Sequence, residues 1–256
     1  MTVTVERHGA VAVVVLDRPQ TKNAITDGMR RELWEAYEDF ALDGSVRAVL
    51  LTGAGGNFSS GADLASFGGG GVPGSLGRMH ELGRINRAIY HLKKPTIAAV
   101  SGICAGMSWG FALCCDFVFA AETAKFVQVF RGVALAPDGG SIWLLSRLVG
   151  PMRAKELCYT GRVVRAEEAL RLGLALELMP QEELFARSLA FAEQLAEGPG
   201  VSISLAKRQT DLAATLSFDQ FLETEHVMQP VASRTEDHAE GVAAFREKRK
   251  PVFKSA

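Results

Sequence analysis

Two uninterrupted Val/Leu-rich runs, Val11–Leu16 and Arg47–Thr52, constrain this chain more than any other feature. Each has the length of one strand and lacks the polar alternation of a half-solvated one. Each therefore predicts a strand buried on both faces. The segment between them reads as one amphipathic helix. Thr26 is placed to cap it and Asp27 suits its first turn. Met29, Leu33, Ala36, Tyr37 and Phe40 recur at helical spacing before Asp43-Gly44 ends it. Further strands are expected at Thr96–Val100 and Asp116–Ala120, the second following an apolar helix that begins near Gly106. Strand–helix–strand units of this kind imply parallel strands joined by right-handed crossovers, an α/β fold.

Beyond about residue 150 the pattern turns helical. Helices are expected over Ala166–Leu172, ended by Gly173, and Gln181–Glu197, ended by Gly198-Pro199. Ser217-Phe-Asp-Gln220 and Ser233-Arg-Thr-Glu236 both read as capping boxes that open helices. Glycine is concentrated: of 26 in 256 residues, ten fall between Gly53 and Gly77. The stretch Phe67–Gly77 is too glycine-rich for a regular element by sequence alone and is expected to be a mobile loop.

The 28 basic and 29 acidic residues balance, which excludes a general electrostatic attraction to nucleic acid or to a membrane surface. The balance hides a local excess near the C-terminus, where Arg246, Lys248, Arg249, Lys250 and Lys254 face only Glu247. No apolar run approaches the ~20 residues of a membrane span, and the N-terminus lacks the basic and apolar regions of a signal peptide. Cys104, Cys114, Cys115 and Cys158 form no C-x-x-C pair and are expected as reduced, buried small hydrophobes, which fits a cytoplasmic protein. No metal site is expected.

Three glycine-containing patterns bear on chemistry. Gly53-Ala-Gly55-Gly56 follows a strand as a dinucleotide loop would, but Phe58 stands where the third glycine belongs. Gly106-Met-Ser108-Trp-Gly110 has the form of a nucleophile elbow, with Ser108 as nucleophile. A serine esterase of that type would need Asp138 and then His226 or His238, and both histidines fall in helical sequence. The third pattern is a pair of turns, Phe58–Leu64 and Ser101–Gly110, each following a strand and leading toward a helix. Small residues there leave backbone N–H groups free to face a ligand at a helix N-terminus. Two N–H groups converging on one oxygen make an oxyanion hole, worth about 3 kcal/mol per donor.

The chain resembles the crotonase (enoyl-CoA hydratase/isomerase) superfamily from end to end. The matching pieces are Arg18-Pro19-Gln-Thr-Lys22-Asn23-Ala24, Gly61-Ala62-Asp63-Leu64 and Lys94-Pro95 running on to Asp116. They continue with Pro137-Asp138-Gly139-Gly140, Thr160-Gly161-Arg162, and Glu240-Gly241 through Arg249. The resemblance implies a crotonase-like ββα spiral core over residues 1–195 and a C-terminal helical trimerisation region over 196–256. It implies an acyl-CoA thioester as ligand, so that coenzyme A is part of the substrate and no separate cofactor is expected. It also implies a homotrimer or a dimer of trimers. The family's oxyanion donors fall on the backbone N–H groups of Ala62 and Met107. Its ligand-contacting segments fall on Lys22, Asn23, Ala24, Ser60, Gly61, Asp63, Leu64, Gly106 and Phe130, and Lys248 matches a lysine that approaches the CoA phosphate. Ser108 then becomes a helix residue beside the hole.

Hydratases of the family use two glutamates. Gly110 and Phe130 occupy those positions here. Asp138 remains, with two readings: N-cap of the helix over Ser141–Val149, or acid/base. The resemblance to isomerases that carry an aspartate in a Pro-Asp-Gly turn favours the second. A single carboxylate suits a Δ3/Δ2-type enoyl-CoA isomerisation. The alternatives are a hydratase with altered acids and a catalytically weak acyl-CoA-binding protein. Asp63 is expected to orient the Ala62 N–H, Asp116 to be structural, Glu122 to sit in a turn and Arg131 to form a salt bridge. Of Trp109, Trp143, Phe126 and Phe130, most are expected in the core.

Overall fold

The computed structural model describes residues 2–63, 65 and 71–255. Its framework is a six-stranded sheet in the order β1-β2-β3-β4-β6-β9. β1 (Val3–His8) pairs antiparallel with β2 (Val11–Leu16), and every later neighbour pairs parallel: β3 (Ala48–Gly53), β4 (Thr96–Val100), β6 (Phe117–Ala121) and β9 (Glu177–Met179). The helix expected between the first two apolar runs is α1 (Asp27–Leu42), and Thr26 Oγ1 accepts a hydrogen bond from Met29 N–H at 3.2 Å.

The continuous apolar runs are explained by two cores. Ala12, Val14, Leu16, Val49, Leu51, Ala98, Val100, Val118 and Ala120 point into one, and Val11, Val13, Ala48, Leu50, Ile97, Ala99, Phe119 and Ala121 into the other. With a period of two, a strand that feeds both faces has no position left for a polar residue. α6 (Gln181–Ala196) covers the second face with Leu184, Ala192 and Ala196.

A smaller sheet, β5-β7-β8, stands beside the first. It is built from β5 (Ile103–Ala105), β7 (Lys125–Val127) and β8 (Val163–Arg165), the first two parallel and the last antiparallel. Two of the long strands, β4 and β6, are each followed by a short strand and then a helical segment. β4 and β5 lead to α3 (Met107–Cys114). β6 and β7 lead through a 3-10 turn, Val129–Val133, to α4 (Ser141–Thr160). This is the ββα spiral that the resemblance implied.

Sequence and structure part at several points. Helix α2 spans Gly71–Tyr90, so Gly71–Gly77 is helical where a loop was expected, while 66–70 lie outside the described residues. Packing of Leu82, Ile85 and Ile89 into the first core overrides the weak local preference of the glycines. The helix after Thr160-Gly161 is α5 (Ala166–Arg171). Three helices complete the chain: α7 (Gly200–Ala213), α8 (Phe218–Ala232) and α9 (Glu236–Glu247). Ser217 and Gln220 form the expected capping box on α8, but α9 is capped by Thr235 rather than Ser233. Lys207 on α7 donates to Asp116, which also accepts from Thr96 N–H, so Asp116 is structural as expected. All four cysteines are free and buried. Among the described residues no helix is long and apolar enough to cross a membrane, and no cluster of three metal-ligating side chains occurs.

Candidate active site

The two turns singled out in the sequence lie side by side. Ser59 bridges Cys104 in parallel, with Ser59 N–H donating to Ile103 O at 2.9 Å and Ala105 N–H to Ser59 O at 3.0 Å. Residues three steps further along each strand, Ala62 and Met107, therefore arrive together. Ile25 pairs with Ala62 from the other side through Ile25 N–H to Gly61 O and Asp63 N–H to Ile25 O. That pairing leaves the Ala62 N–H pointing away from the ladder. Met107 opens α3, so its N–H is one of the helix's unpaired donors. Neither N–H has a partner among the described residues. Gly61 makes the approach possible: it has φ +94°, and a Cβ there would stand 2.8 Å from Ala105 O.

The loop at Arg18–Ala24 supports the first turn. Arg18 Nη1 donates to Ala24 O at 2.7 Å and to Asp63 Oδ2 at 2.9 Å, while Asp63 Oδ1 accepts from Ala65 N–H. The Arg18 hydrogen bond holds the Asp63 carboxyl below the usual carboxylate range. Asp63 thus anchors the turn. The Asn23 side chain is committed to the fold. It is completely buried, its Oδ1 accepts from Arg18 N–H, and its Nδ2 donates to Ala54 O and Asn57 O. Its side chain is spent on the backbone of the neighbouring turn. Lys22 is exposed in a left-handed conformation, Ala24 is buried, and Ser60 ties the loop to the turn through Ser60 N–H to Lys22 O. Leu64 lies outside the described residues.

The turn carrying Asp138 closes over α3. A Cβ on Gly139 would stand 3.4 Å from Met107 Cα, so this turn touches Met107 itself. Asp138 is not the N-cap of α4. Gly140 holds that position, and it is the Asp138 backbone carbonyl that accepts from Ser141 N–H and Oγ. The carboxyl is left over: its Oδ1 is buried and has no hydrogen-bond partner among the described residues. Burial pushes its pKa up from 3.8 to about 6, and the Arg30 charge opposes that shift.

Gly106 and Phe130 wall the second turn. A Cβ on Gly106 would meet Val129 Cγ2 at 3.1 Å and Phe130 Cζ at 3.6 Å. Trp109 and Phe126 are fully buried and Trp143 is half exposed under Arg147. Arg131 forms no ion pair among the described residues and instead donates to Thr160 O. Glu122 sits in a turn, its N–H bonded to Met179 O.

Two site neighbours were missed in the sequence. Arg30 is buried, donates to Asp27 at 2.5 Å and lies 3.7 Å from Glu81. It falls on the same stripe of α1 as Leu33 and Tyr37, and a charge on a buried stripe is the signal that would have found it. Asn86 on α2 places Nδ2 3.7 Å from a Cβ built on Gly140, and its Oδ1 is buried without a partner. No sequence pattern marks it.

Ser108 is no nucleophile. Its side chain is fully buried and bonded to backbone groups of Ser59 and Ala105, with no histidine among its partners. His226 and His238 lie on α8 and α9. Lys248 ends α9 in a left-handed conformation, exposed and without an ion pair among the described residues. The basic tail around it is partly neutralised, since Arg249 pairs with Glu240 and Glu247, and Lys250 with Glu197. A cavity of about 820 Å³ lies elsewhere, at the opposite ends of β3 and β4, and none of these groups lines it.

A family model described as enoyl-CoA hydratase/isomerase matches residues 6–256. The chain belongs to the enoyl-CoA hydratase/isomerase family. It is 36% identical over 252 residues to a probable enoyl-CoA hydratase of Rhodobacter capsulatus, covering 98% of this chain and 97% of that one. It is equally 36% identical, over 247 residues, to the 1,2-epoxyphenylacetyl-CoA isomerase of Escherichia coli, covering 95% and 94%. The crystal structure of an enoyl-CoA hydratase from Bacillus anthracis superposes with a TM-score of 0.96 at 30% identity, over the full length of both chains. Family membership and the crotonase-like fold are therefore secure on independent grounds. Similarity alone does not choose between hydration and isomerisation, because relatives of both names match equally well.

Proposed function

We propose that this enzyme is an enoyl-CoA isomerase in which Asp138 moves a proton along the acyl chain. One observation carries the reading: Asp138 presents a buried carboxyl oxygen without a partner, in a turn packed on the residue of an oxyanion donor. A thioester bound with its carbonyl oxygen at Ala62 N–H and Met107 N–H is polarised there. The Asp138 carboxylate takes a proton from C2 of a 3-enoyl thioester, and the electron pair passes through the new double bond to the carbonyl oxygen. The two N–H groups hold the resulting dienolate, the largest electrostatic contribution such a site makes. Asp138, now protonated, returns the proton to C4, and the conjugated 2-enoyl thioester forms. No water enters and no second carboxylate is required. A pKa near 6 suits a group that must both take and give a proton near neutrality.

Hydration is the second reading, favoured by the relatives named hydratases. It asks for a pair of acidic groups, and Phe130 fills one family position while Gly110 occupies the other. The contacting set we propose for the thioester is Lys22, Ala24, Ser60, Gly61, Gly106 and Phe130, with Lys248 at the phosphates. Exposed apolar residues on the C-terminal helices, among them Phe218, Val227 and Phe245, support a subunit interface, and we read the 196–256 region as the trimerising part. Coenzyme A enters as part of the substrate and the chemistry needs no separate cofactor. The four free, buried cysteines fit a cytoplasmic enzyme. Incubation with a 3-enoyl-CoA and, separately, a 2-enoyl-CoA tests the reading. Conjugated thioester absorbance should grow from the first, and no 3-hydroxyacyl product should form from the second. Rapid water addition with no isomerisation would refute it.

A further inference from the structure

The proposed reaction leaves the hydroxyl of Ser108 without a role. Ser108 is the second residue of α3 and is fully buried. Its Oγ lies 2.8 Å from Ala105 O, 3.0 Å from Ser59 O and 3.1 Å from Ala105 N. With one proton, it donates to one of these carbonyls and accepts from the Ala105 N–H. Ser59 leads into Ala62, three residues on, and Ala105 leads into Met107, two residues on. One hydroxyl therefore touches the backbone of both segments immediately before each oxyanion donor.

We propose that Ser108 is a positioning residue that fixes the separation and direction of the Ala62 and Met107 N–H groups. It rests on those two groups being the oxyanion hole, and is independent of what Asp138 does. An oxyanion hole stabilises charge because its donors are already aimed when the charge arrives, so slack between them costs rate. The ladder bonds Ser59 N–H to Ile103 O and Ala105 N–H to Ser59 O hold the two segments together. They end at residue 105, and the Ser108 hydroxyl, reaching back from the first turn of α3, adds a side-chain contact to those same two residues, Ser59 and Ala105.

The test is Ser108→Ala in the full-length protein, with two readouts. The first is the steady-state kinetics of 3-enoyl-CoA isomerisation. The second is the absorption of a bound cinnamoyl-CoA carrying an electron-donating para substituent, whose band moves to the red as its carbonyl is polarised. In Ser108→Ala, kcat should fall by about tenfold while KM stays within about twofold, because a misaimed donor weakens the transition state more than the ground state. The red shift should shrink in parallel. Ser188→Ala, which removes another fully buried hydroxyl, on α6 and without a partner, should change neither. If Ser108→Ala does not accumulate as folded protein, Ser108→Cys, with a weaker donor of similar size, should give a reduced shift. Wild-type kcat and red shift in either folded variant, whatever its melting temperature, would overturn the proposal. Absence of any red shift in the wild-type protein would overturn it too. Asp138→Asn should retain the shift while losing isomerisation, which separates this inference from the role of Asp138.

Discussion

Gly110 on α3 and Gly139 in the turn before α4 are in backbone contact. A Cβ built on Gly110 would stand 3.1 Å from both the Gly139 Cα and its carbonyl carbon, and closer still to the oxygen. The space that a side chain at 110 would need is thus taken by the turn that carries Asp138. A side chain at 110 and this placement of the Asp138 turn are therefore mutually exclusive.

Introducing a glutamate at 110 should therefore not produce a working hydratase site. Gly110→Ala already overpacks a rigid backbone contact and should cost about 1–3 kcal/mol, read as a melting temperature lower by roughly 2–10 °C. Gly110→Glu should be worse, with little folded protein and no water addition to a 2-enoyl-CoA. A folded Gly110→Glu protein with hydratase activity would contradict this reading.

The Asp138 carboxyl sets two pH profiles. In the proposed mechanism Asp138 acts as a base and must be ionised, so kcat/KM for isomerisation should rise with pH through about 6 and level off above it. Stability runs the other way. The folded pKa, about 6, lies above the ordinary 3.8, so the native state holds the extra proton between those values. Stability then falls as pH rises across that window, and the full penalty is present above about 6. Asp138→Asn removes the penalty. It should be more stable than wild type by about 1–2 kcal/mol at pH 7.5, after discount for partial exposure, with the gain gone below about pH 4. Thermal scans at the two pH values would detect it, and an equal gain at both would argue against a buried ionised carboxylate.

Asn23 should behave as a structural residue. Replacing it by Ala strands the Ala54 and Asn57 carbonyls and the Arg18 N–H in a buried setting. A loss of about 2–4 kcal/mol is expected, measured by denaturant titration. Asn23→Asp should not rescue it, because a carboxylate cannot donate to the two carbonyls. A fully stable Asn23→Ala protein with weakened acyl-CoA binding would instead place this side chain at the ligand.

The parallel framework was legible because two-sided burial writes itself as unbroken Val and Leu runs, as in Val11–Leu16 and Ala48–Leu51. The short strands were not, since three residues such as Ile103–Ala105 or Lys125–Val127 carry no readable period. The hairpin partner β1 was missed because Val3–His8 alternates with exposed charge at the sheet edge. Gly71–Gly77 misled because its helix is imposed from outside, by Leu82, Ile85 and Ile89 packing on the core. At the site, the turns that carry Ala62 and Met107 were visible as small residues after strands. Of the two readings of Asp138, the structure removes the N-cap, which Gly140 holds. Asn86 could not have been read at all, because its place beside the Asp138 turn depends on how α2 packs.

The central claim is that Asp138 carries the proton, and one comparison tests it most directly. Purified wild-type and Asp138→Asn proteins are incubated with a 3-enoyl-CoA, and the products are followed by proton NMR. Wild type should form the conjugated 2-enoyl thioester without hydroxyacyl product, and Asp138→Asn should be slower by at least about 100-fold, the scale of a lost general acid/base. Isomerisation by Asp138→Asn at the wild-type rate would contradict the claim.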